Sequence, residues 1–215
     1  MPYGFLDIAM TPSVRAAQAA NGSAEMWTEF EGERTSDRFS DSEATFIAAR
    51  DSFYMATVSQ SGWPYVQHRG GPAGFLRMLD EKTLACADFR GNRQYISIGN
   101  LAANDRACLF LIDYPHRQRL KIFVHAETRH PGDDPDLMLK LEMPGYRGKV
   151  ERALVFHLEA FDWNCPQHIT PRFSEREIAT VLTAARERIQ SLEAENKALR
   201  RLLDRSAPND EHSED

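Results

Sequence analysis

From Phe53 to Phe161 the chain runs in short apolar stretches, each broken by Gly, Pro, Asp, Asn or Ser before it could make three turns of helix. Such runs bounded by turn formers read as strands, and neighbouring ones as hairpins. Phe53 to Val58 is the first; Ser59 to Gly62 turns, and Tyr65 to Arg69 returns into Gly70-Gly71. Phe75 to Leu79, the turn Asp80-Glu81-Lys82, and Thr83 to Phe89 make a second pair. Arg106 to Asp113, Arg119 to Ala126 and Ala153 to Phe161 complete the β set. Six or so strands with short turns predict a mainly β domain with flanking helices, a small and largely antiparallel barrel.

Helical spacing appears in four places. Thr11-Pro12 followed by an Ala-rich stretch to Ala20 and then Asn21-Gly22 predicts a short helix with proline in its first turn. Ser40 and Glu43 have capping-box spacing, and Ala44, Phe46 and Ile47 supply an apolar stripe up to Arg50. Residues 92–103 carry Tyr95, Ile96, Ile98 and Leu101 and predict a single helix between strands.

Beyond Ile178 apolar residues fall in heptads: Ile178, Ala185, Leu192 and Leu199 at d, Leu182, Ile189 and Leu203 at a, with Asn196 at the remaining a position. An Asn at one a site pairs with its symmetry mate and favours a parallel two-stranded coil. Arg188 and Glu195 at g would face Glu193 and Arg200 at e of a partner, although an antiparallel pairing could also match Arg188 with Glu195. A single amphipathic helix lying on its own barrel is the alternative. The expected organisation is an N-terminal arm over 1–40, a barrel domain over 41–175, a coiled-coil helix over 176–205 and a disordered acidic tail over 206–215.

Composition narrows the function classes. The 215 residues, 42% of them hydrophobic, can bury one core plus an appendage. A formal charge of −6 argues against broad nucleic-acid binding, while leaving room for a local basic cluster to hold one phosphate. No apolar run approaches the ~20 residues a membrane span needs, and residues 1–10 lack the charge and cleavage pattern of a signal peptide, so a cytoplasmic protein is expected. Three widely spaced cysteines, Cys86, Cys108 and Cys165, imply no disulfide framework.

The chemistry concentrates in Phe161-Asp-Trp-Asn-Cys-Pro-Gln-His-Ile-Thr-Pro-Arg-Phe173. Cys165 and His168 are two ligands where zinc wants three or four, so no metal is expected. They also form a nucleophile pair on paper, but such partners usually converge from distant segments. A proline-stiffened loop satisfying its own backbone is the plain reading. A lid is the other: Trp163 offers a flat face, Asn164 and Gln167 paired donors and acceptors, and Arg172 a fixed positive fork, a set suited to a planar heterocycle with an anionic tail. Arg69, Arg90, Arg93, Arg119 and Lys121 fall at or just after strands and could serve that tail. Arg69 precedes Gly70-Gly71, where a phosphate could approach the backbone, and Arg93 opens the predicted helix.

The segments Gln67-His68-Arg69, Asp88 to Gln94 and Arg117 to Lys121, with the Gly62-x-Pro64 turn, resemble the FMN-binding split barrel of the pyridoxamine 5'-phosphate oxidase superfamily. With Trp163 and Arg172 added, the likeness covers roughly residues 40 to 175, and the Trp-Asn-Cys-Pro-Gln-His string resembles that of an uncharacterised flavoprotein branch. The resemblance implies a six-stranded antiparallel split β-barrel, a homodimer with flavin at the subunit interface, and FMN as cofactor. It places Gln67, His68, Arg69 and Gly70 along the flavin, and Asp88 near the ring or ribityl chain. Arg93 and Gln94 fall at the phosphate, Arg119 and Lys121 beside the flavin, and Trp163, Asn164, Gln167, His168 and Arg172 in the closing segment. Gly71-Pro72 stands where the vitamin B6 oxidases carry a substrate lysine, their C-terminal Arg-x-His motif is missing, Gln94 replaces a phosphate-binding Lys, and Gln67 replaces an Arg. These departures argue against pyridoxamine phosphate as substrate. Two functions stay open: an FMN-dependent oxidoreductase acting on a small molecule, and a flavin carrier, sensor or binding protein without turnover. No residue announces itself as the catalytic base; His68 and His168 are the candidates.

Overall fold

The computed structural model describes residues 4–27, 37–163 and 166–206. The chain divides into two compact units, residues 1–169 and 170–215. The first holds a seven-stranded antiparallel sheet: β1 (Ser52–Val58), β2 (Pro64–Gly70), β3 (Arg77–Asp80), β4 (Thr83–Phe89), β5 (Arg106–Asp113), β6 (Gln118–Arg129) and β7 (Val150–Trp163), in the order β2-β1-β5-β6-β7-β4-β3. The count exceeds the expected six; the lower arm of the second hairpin survives only as four-residue β3 at a sheet edge. The sheet curls into a barrel that its backbone ladders do not close, in keeping with a split barrel.

Alternation sets the inside. β5 buries Ala107, Leu109, Leu111 and Asp113, and β6 buries Leu120, Ile122, Val124 and Ala126. Met55, Leu84, Leu154 and Phe156 complete a core in which Phe53 stacks on Phe75 at 5.7 Å and meets Phe156 edge-on at 6.0 Å. β4 is buried on both faces because α5 (Pro135–Leu141), which the sequence reading missed, lays Leu137 and Leu141 against Ala85, Ala87, Ala153 and Val155.

The other helices are α1 (Phe5–Ala9), α2 (Pro12–Ala20), α3 (Asp41–Ala48), α4 (Ile96–Ala103) and, in the second unit, α6 (Glu175–Ser206). α1 was not anticipated; its Phe5 stacks on Phe123 of β6 at 4.4 Å. α3 begins with the capping box its sequence implied. α4 starts at Ile96 instead of residue 92 because Arg93 and Tyr95 have left-handed backbones, φ 61° and 53°, which a right-handed helix cannot include. α6 is capped by Ser174, whose N–H and hydroxyl both donate to Glu177, at 2.7 and 2.8 Å. The acidic tail expected over 206–215 lies outside the described residues except for Ser206.

The two ends of the curled sheet meet through side chains. Arg69 of β2 forms an ion pair with Asp88 of β4, and Arg152 of β7 brings its Nε to 3.4 Å from the other oxygen of Asp88. All three side chains are nearly buried, at 11%, 9% and 14% exposure. Truncating Asp88 would leave the nearly buried Arg69 guanidinium without an ion-pair partner among the described residues, while Arg152 keeps Glu151 at 3.4 Å. Asp88→Ala should therefore cost ~3–5 kcal/mol, whereas the apolar pair Arg69→Met/Asp88→Leu should cost much less. Urea midpoints of the two variants check this; equal losses would mean that the charges do not carry the closure.

Candidate functional site

The mouth of the split gathers four elements. Gln67 of β2 accepts through Oε1 from Ser97 Oγ of α4 at 2.7 Å and from Arg69 Nη2 at 3.3 Å. With its oxygen doubly occupied, the amide NH2 is the group that remains to donate to a ligand. Arg152 also lies over the Tyr95 ring, 5.0 Å from its centroid. Tyr95 donates its hydroxyl proton to Glu151, whose carboxylate is held in turn by Arg90 Nε at 2.6 Å. Both carboxylates of the mouth are thus committed to arginines. Arg69 Nε is buried without a hydrogen-bond partner among the described residues.

Arg93 differs from these arginines. It lines the same cleft, with Gly91 and Asn92, yet has no ion-pair or hydrogen-bond partner among the described residues. Its backbone and that of Tyr95 are left-handed, a conformation costing about 1–3 kcal/mol per non-glycine residue that the surrounding structure must sustain. Tyr95 is also the N-cap of α4 and supplies no side-chain hydrogen bond to it. The first N–H groups of a helix have no acceptor of their own, so an uncapped N-terminus beside a free guanidinium suits an anion. The cleft measures about 60 Å³, room for a phosphate-sized group and not for a flavin ring.

A second cleft, about 900 Å³, lies between α3, the β5–β6 turn and the end of β7. Trp163 forms one wall, donating Nε1–H to Glu43 Oε1 at 2.7 Å and meeting Phe46 edge-on at 4.7 Å. Burial raises the Glu43 carboxyl, but hydrogen bonds from the Ser40 hydroxyl, Trp163 and the Ser40 backbone outweigh it and hold the carboxyl below its usual range. On the opposite side buried Asp113 accepts from Arg50 Nη2 at 2.7 Å and from both the backbone N–H and Nδ1 of His116 at 3.0 Å. Burial likewise pushes Asp113 up, and the His116 backbone and the Arg50 charge pull it down further. This pairing orients the His116 ring, the arrangement in which an imidazole can pass a proton through its other nitrogen. Arg117 beside it is left-handed at φ 55°. Neither His116 nor Asp113 was singled out from sequence; the signal was an Asp three residues before a His in a Pro-containing turn.

The expected site residues divide among these places. Gln67, Arg69, Asp88 and Arg93 come together at the mouth. Gln94 is exposed nearby, its backbone N–H and side chain tied to Asn92. Gly70 and Gly71 have a packing reason: the Gly71 N–H donates to Asp51 O at 2.9 Å, and a Cβ there would strike Phe75 at 2.9 Å. His68 and Lys121 lie on the outer sheet face, in one cross-strand row through Tyr54 and Phe110 to Asp162. His68 meets the Tyr54 ring edge-on, and Lys121 stands 3.7 Å from Asp162. Arg119 is half-buried two residues before Lys121 on β6. Trp163 lines the second cleft, Gln167 and His168 are in an exposed turn, and Arg172 is exposed in the second unit. Asn164 and Cys165 lie outside the described residues. Among the described residues no His, Cys, Asp and Glu group could hold a metal ion. Burial pushes the Cys86 thiol up to about 12 and raises Cys108 as well, so neither is a ready nucleophile.

A curled antiparallel sheet whose ladders do not close and whose mouth is bridged by ion pairs defines the class as a split barrel. The chain belongs to the pyridoxamine 5'-phosphate oxidase family, whose model matches residues 39–152, just over half of its length. No curated protein matches it. Among solved structures it is similar to HupZ of Group A Streptococcus, at 17% identity and TM-score 0.48 over 63% of this chain and 99% of that one. It is also similar to an FMN-binding protein of Syntrophomonas wolfei, at 18% identity and TM-score 0.44 over 71% and 95%. General Stress Protein 26 of Bacillus anthracis follows, at 14% and 0.43 over 60% and 92%. Among the described residues no helix is long and apolar enough to cross a membrane.

The lowered carboxyls of Glu43 and Asp113 set the pH response of the second cleft. A depressed folded-state pKa means that the unfolded chain binds more protons, so their contribution is present above the ordinary carboxyl range, about pH 4 to 4.5, and is lost as pH falls through the folded values. Asp113→Asn should lower the melting temperature at pH 7 and flatten its decline below about pH 4.5. Calorimetric scans across the acid range check both; a variant with the native acid slope would remove Asp113 from the account.

Proposed function

We propose that two copies of this chain bind FMN across their interface, and that the bound flavin is the redox centre of an oxidoreductase acting on a small substrate. The observation that carries the reading is Arg93: a guanidinium without a partner, held in a strained backbone at the uncapped N-terminus of α4, inside a cleft of phosphate size. Family membership supports the same cofactor. Bound there, a flavin supplies hydride or single-electron transfer.

On this reading the chain's own groups divide the work. Arg93 and the first turn of α4 hold the phosphate. The Arg69, Asp88 and Arg152 cluster keeps β2, β4 and β7 in place around it. Gln67 turns its amide NH2 toward a polar ring edge, because Ser97 and Arg69 fix its oxygen. The small mouth cannot take the ring, so the covering wall comes from the partner's Trp163 cleft. Tyr54, Val58 and Val66, exposed on the outer face of β1 and β2, give that second copy an apolar surface to meet. Gly71-Pro72 stands where a substrate lysine sits in the vitamin B6 oxidases, so we assign a substrate other than pyridoxamine phosphate. The Trp163 to His168 string, on the same reading, marks a separate branch.

One observation favours a carrier or sensor without turnover: Asp88 and Glu151 are both spent on arginines, leaving no unpaired carboxylate at the mouth among the described residues. His116, oriented by Asp113 in the second cleft, favours the enzyme. Anaerobic reduction followed by reoxidation with defined acceptors separates the two. For the cofactor, Arg93→Ala should weaken FMN by roughly 10- to 100-fold, the worth of a charge-assisted bond of about 1.5 to 3 kcal/mol, while leaving riboflavin within a few-fold. Fluorescence titration with both ligands reads this directly. Equal losses would move Arg93 off the phosphate, and a folded protein that stays colourless in excess FMN would overturn the reading.

A further inference from the structure

Among the described residues the second unit holds one long helix and no other element. α6 runs unbroken from Glu175 to Ser206, 32 residues and about 48 Å, with Ile178, Leu182, Ile189, Leu192 and Leu199 exposed along one side and Val181 and Leu202 exposed beside them near its two ends. A lone helix of this kind draws little stability from propensity and depends on burying that side. We propose that its occupant is α6 of a second copy, wound as a parallel, in-register, two-stranded coiled coil. The inference goes beyond the proposed flavin site and does not depend on it.

Three features choose this occupant. The apolar positions recur at the 3.5-residue average of a and d, and through the middle of the helix the flanking e and g positions are charged: Arg186, Arg188, Glu193, Glu195 and Arg200. A helix packed on a globular surface needs a wider stripe, about 100° or more, whereas a two-position seam with charged shoulders fits another helix. Charge is complementary in the parallel register, Arg188 to the partner's Glu193 and Glu195 to the partner's Arg200.

Charge alone also tolerates antiparallel helices, and Asn196 decides between them. In a parallel coil a faces a, so the Asn196 amide meets its own mate and each side chain both donates and accepts. In an antiparallel coil a faces d, and every d position of α6 before the terminal Ser206 is Ile, Ala or Leu, none of which can answer a buried amide; a register that set Asn196 against Ser206 would overlap the two helices only from 196 to 206. Leaving that amide unsatisfied on both helices costs more than the shoulder charges return. On a barrel surface the amide would need a polar partner at one fixed spot, and the charged shoulders would be pressed against protein.

Cysteine trapping in the full-length chain tests the arrangement. Leu199 is a d residue, and in a parallel in-register pair its two copies come within the ~6 Å Cα separation of a disulfide. In the antiparallel registers that pair a with d and keep most of α6 overlapped, Leu199 opposes Ile189 or Leu182, which puts its two copies on the order of 15 Å or more apart. Leu199→Cys under mild oxidation should convert most of the protein to a covalent dimer on a non-reducing gel. Lys197→Cys, on the solvent side, should remain at the background of the unsubstituted chain, which retains Cys86, Cys108 and Cys165. Adding Asn196→Leu to the Leu199→Cys chain should lower the yield of trapped dimer, because orientation and stoichiometry are no longer fixed. Equal trapping at positions 197 and 199, or a monomer with an internal disulfide from residue 199 to the barrel, would overturn the proposal. So would a yield indifferent to Asn196. Flavin binding measured on the same proteins keeps the two readings separate: trapping without bound flavin counts against the cofactor alone, and bound flavin without trapping against the coil alone.

Discussion

One ion pair closes this barrel. The ladders run from β2 to β3 through five intervening strands and never return to their starting edge, so across the open seam the sheet is bridged by the connection 71–76 and by side chains in place of a backbone ladder. Arg69 reaches from β2 to Asp88 of β4, and Arg152 approaches the same carboxylate from β7. Buried charge is a poor source of net stability, since desolvation offsets much of the attraction. What the pair does provide is position. An apolar contact at this seam could slide, whereas a carboxylate between two guanidiniums admits few arrangements, and the backbone around it is fixed accordingly.

Everything at the mouth takes its place from that pair. Gln67 lies two residues before Arg69 on the same face of β2, and its oxygen is captured by Arg69 and Ser97, which locks the start of α4 to the edge strand. Arg152 lies against Tyr95, and Tyr95 is tied to Glu151, so the left-handed turn ahead of α4 is gripped from two sides. That grip is what allows Arg93 and Tyr95 to persist in a conformation most residues avoid. Strain of this kind persists only where neighbours over-determine the backbone, and here the neighbours can be named.

The sequence disclosed the strands and concealed the closure. Period-two alternation in β1, β5 and β6 and the turn residues between them mark a small antiparallel barrel, and the Ser40 to Glu43 spacing marks the start of α3. α5 was invisible because Pro135 to Leu141 is too short to show a period, and α1 for the same reason. The start of α4 was misplaced because nothing in Asn92-Arg-Gln-Tyr95 announces left-handed backbone; glycine would have, and the chain uses Arg and Tyr instead. Arg69 and Arg93 were legible as basic residues at strand ends, and Asp88 joined them only through resemblance. That Asp88 neutralises Arg69 while Arg93 stays free depends on which strands the curl brings together, and no local pattern encodes that. His116 was missed on similar grounds, since its meaning rests on a buried Asp113 already held by Arg50 from α3's end, far away in sequence.

The charge balance at the mouth gives the free arginine its consequence. Arg69, Arg90, Arg93 and Arg152 stand against Asp88 and Glu151, four positive groups against two negative, in a chain whose formal charge is −6. Arg69 and Arg93 line the cleft with Asp88 and Glu151, and Arg69 and Arg152 are nearly buried, where repulsion among cations is screened less than on an open surface. A phosphate dianion would cancel that excess and occupy the N-terminus of α4 at once. In the proposed reading the ligand is therefore a structural counter-ion as well as a cofactor, because what binds the folded chain and not the unfolded one stabilises the fold in proportion to its affinity. The same excess explains why the seam could not be built from arginines and carboxylates in equal number. A fully neutral mouth would close the barrel as well, but it would have nothing left with which to hold an anion.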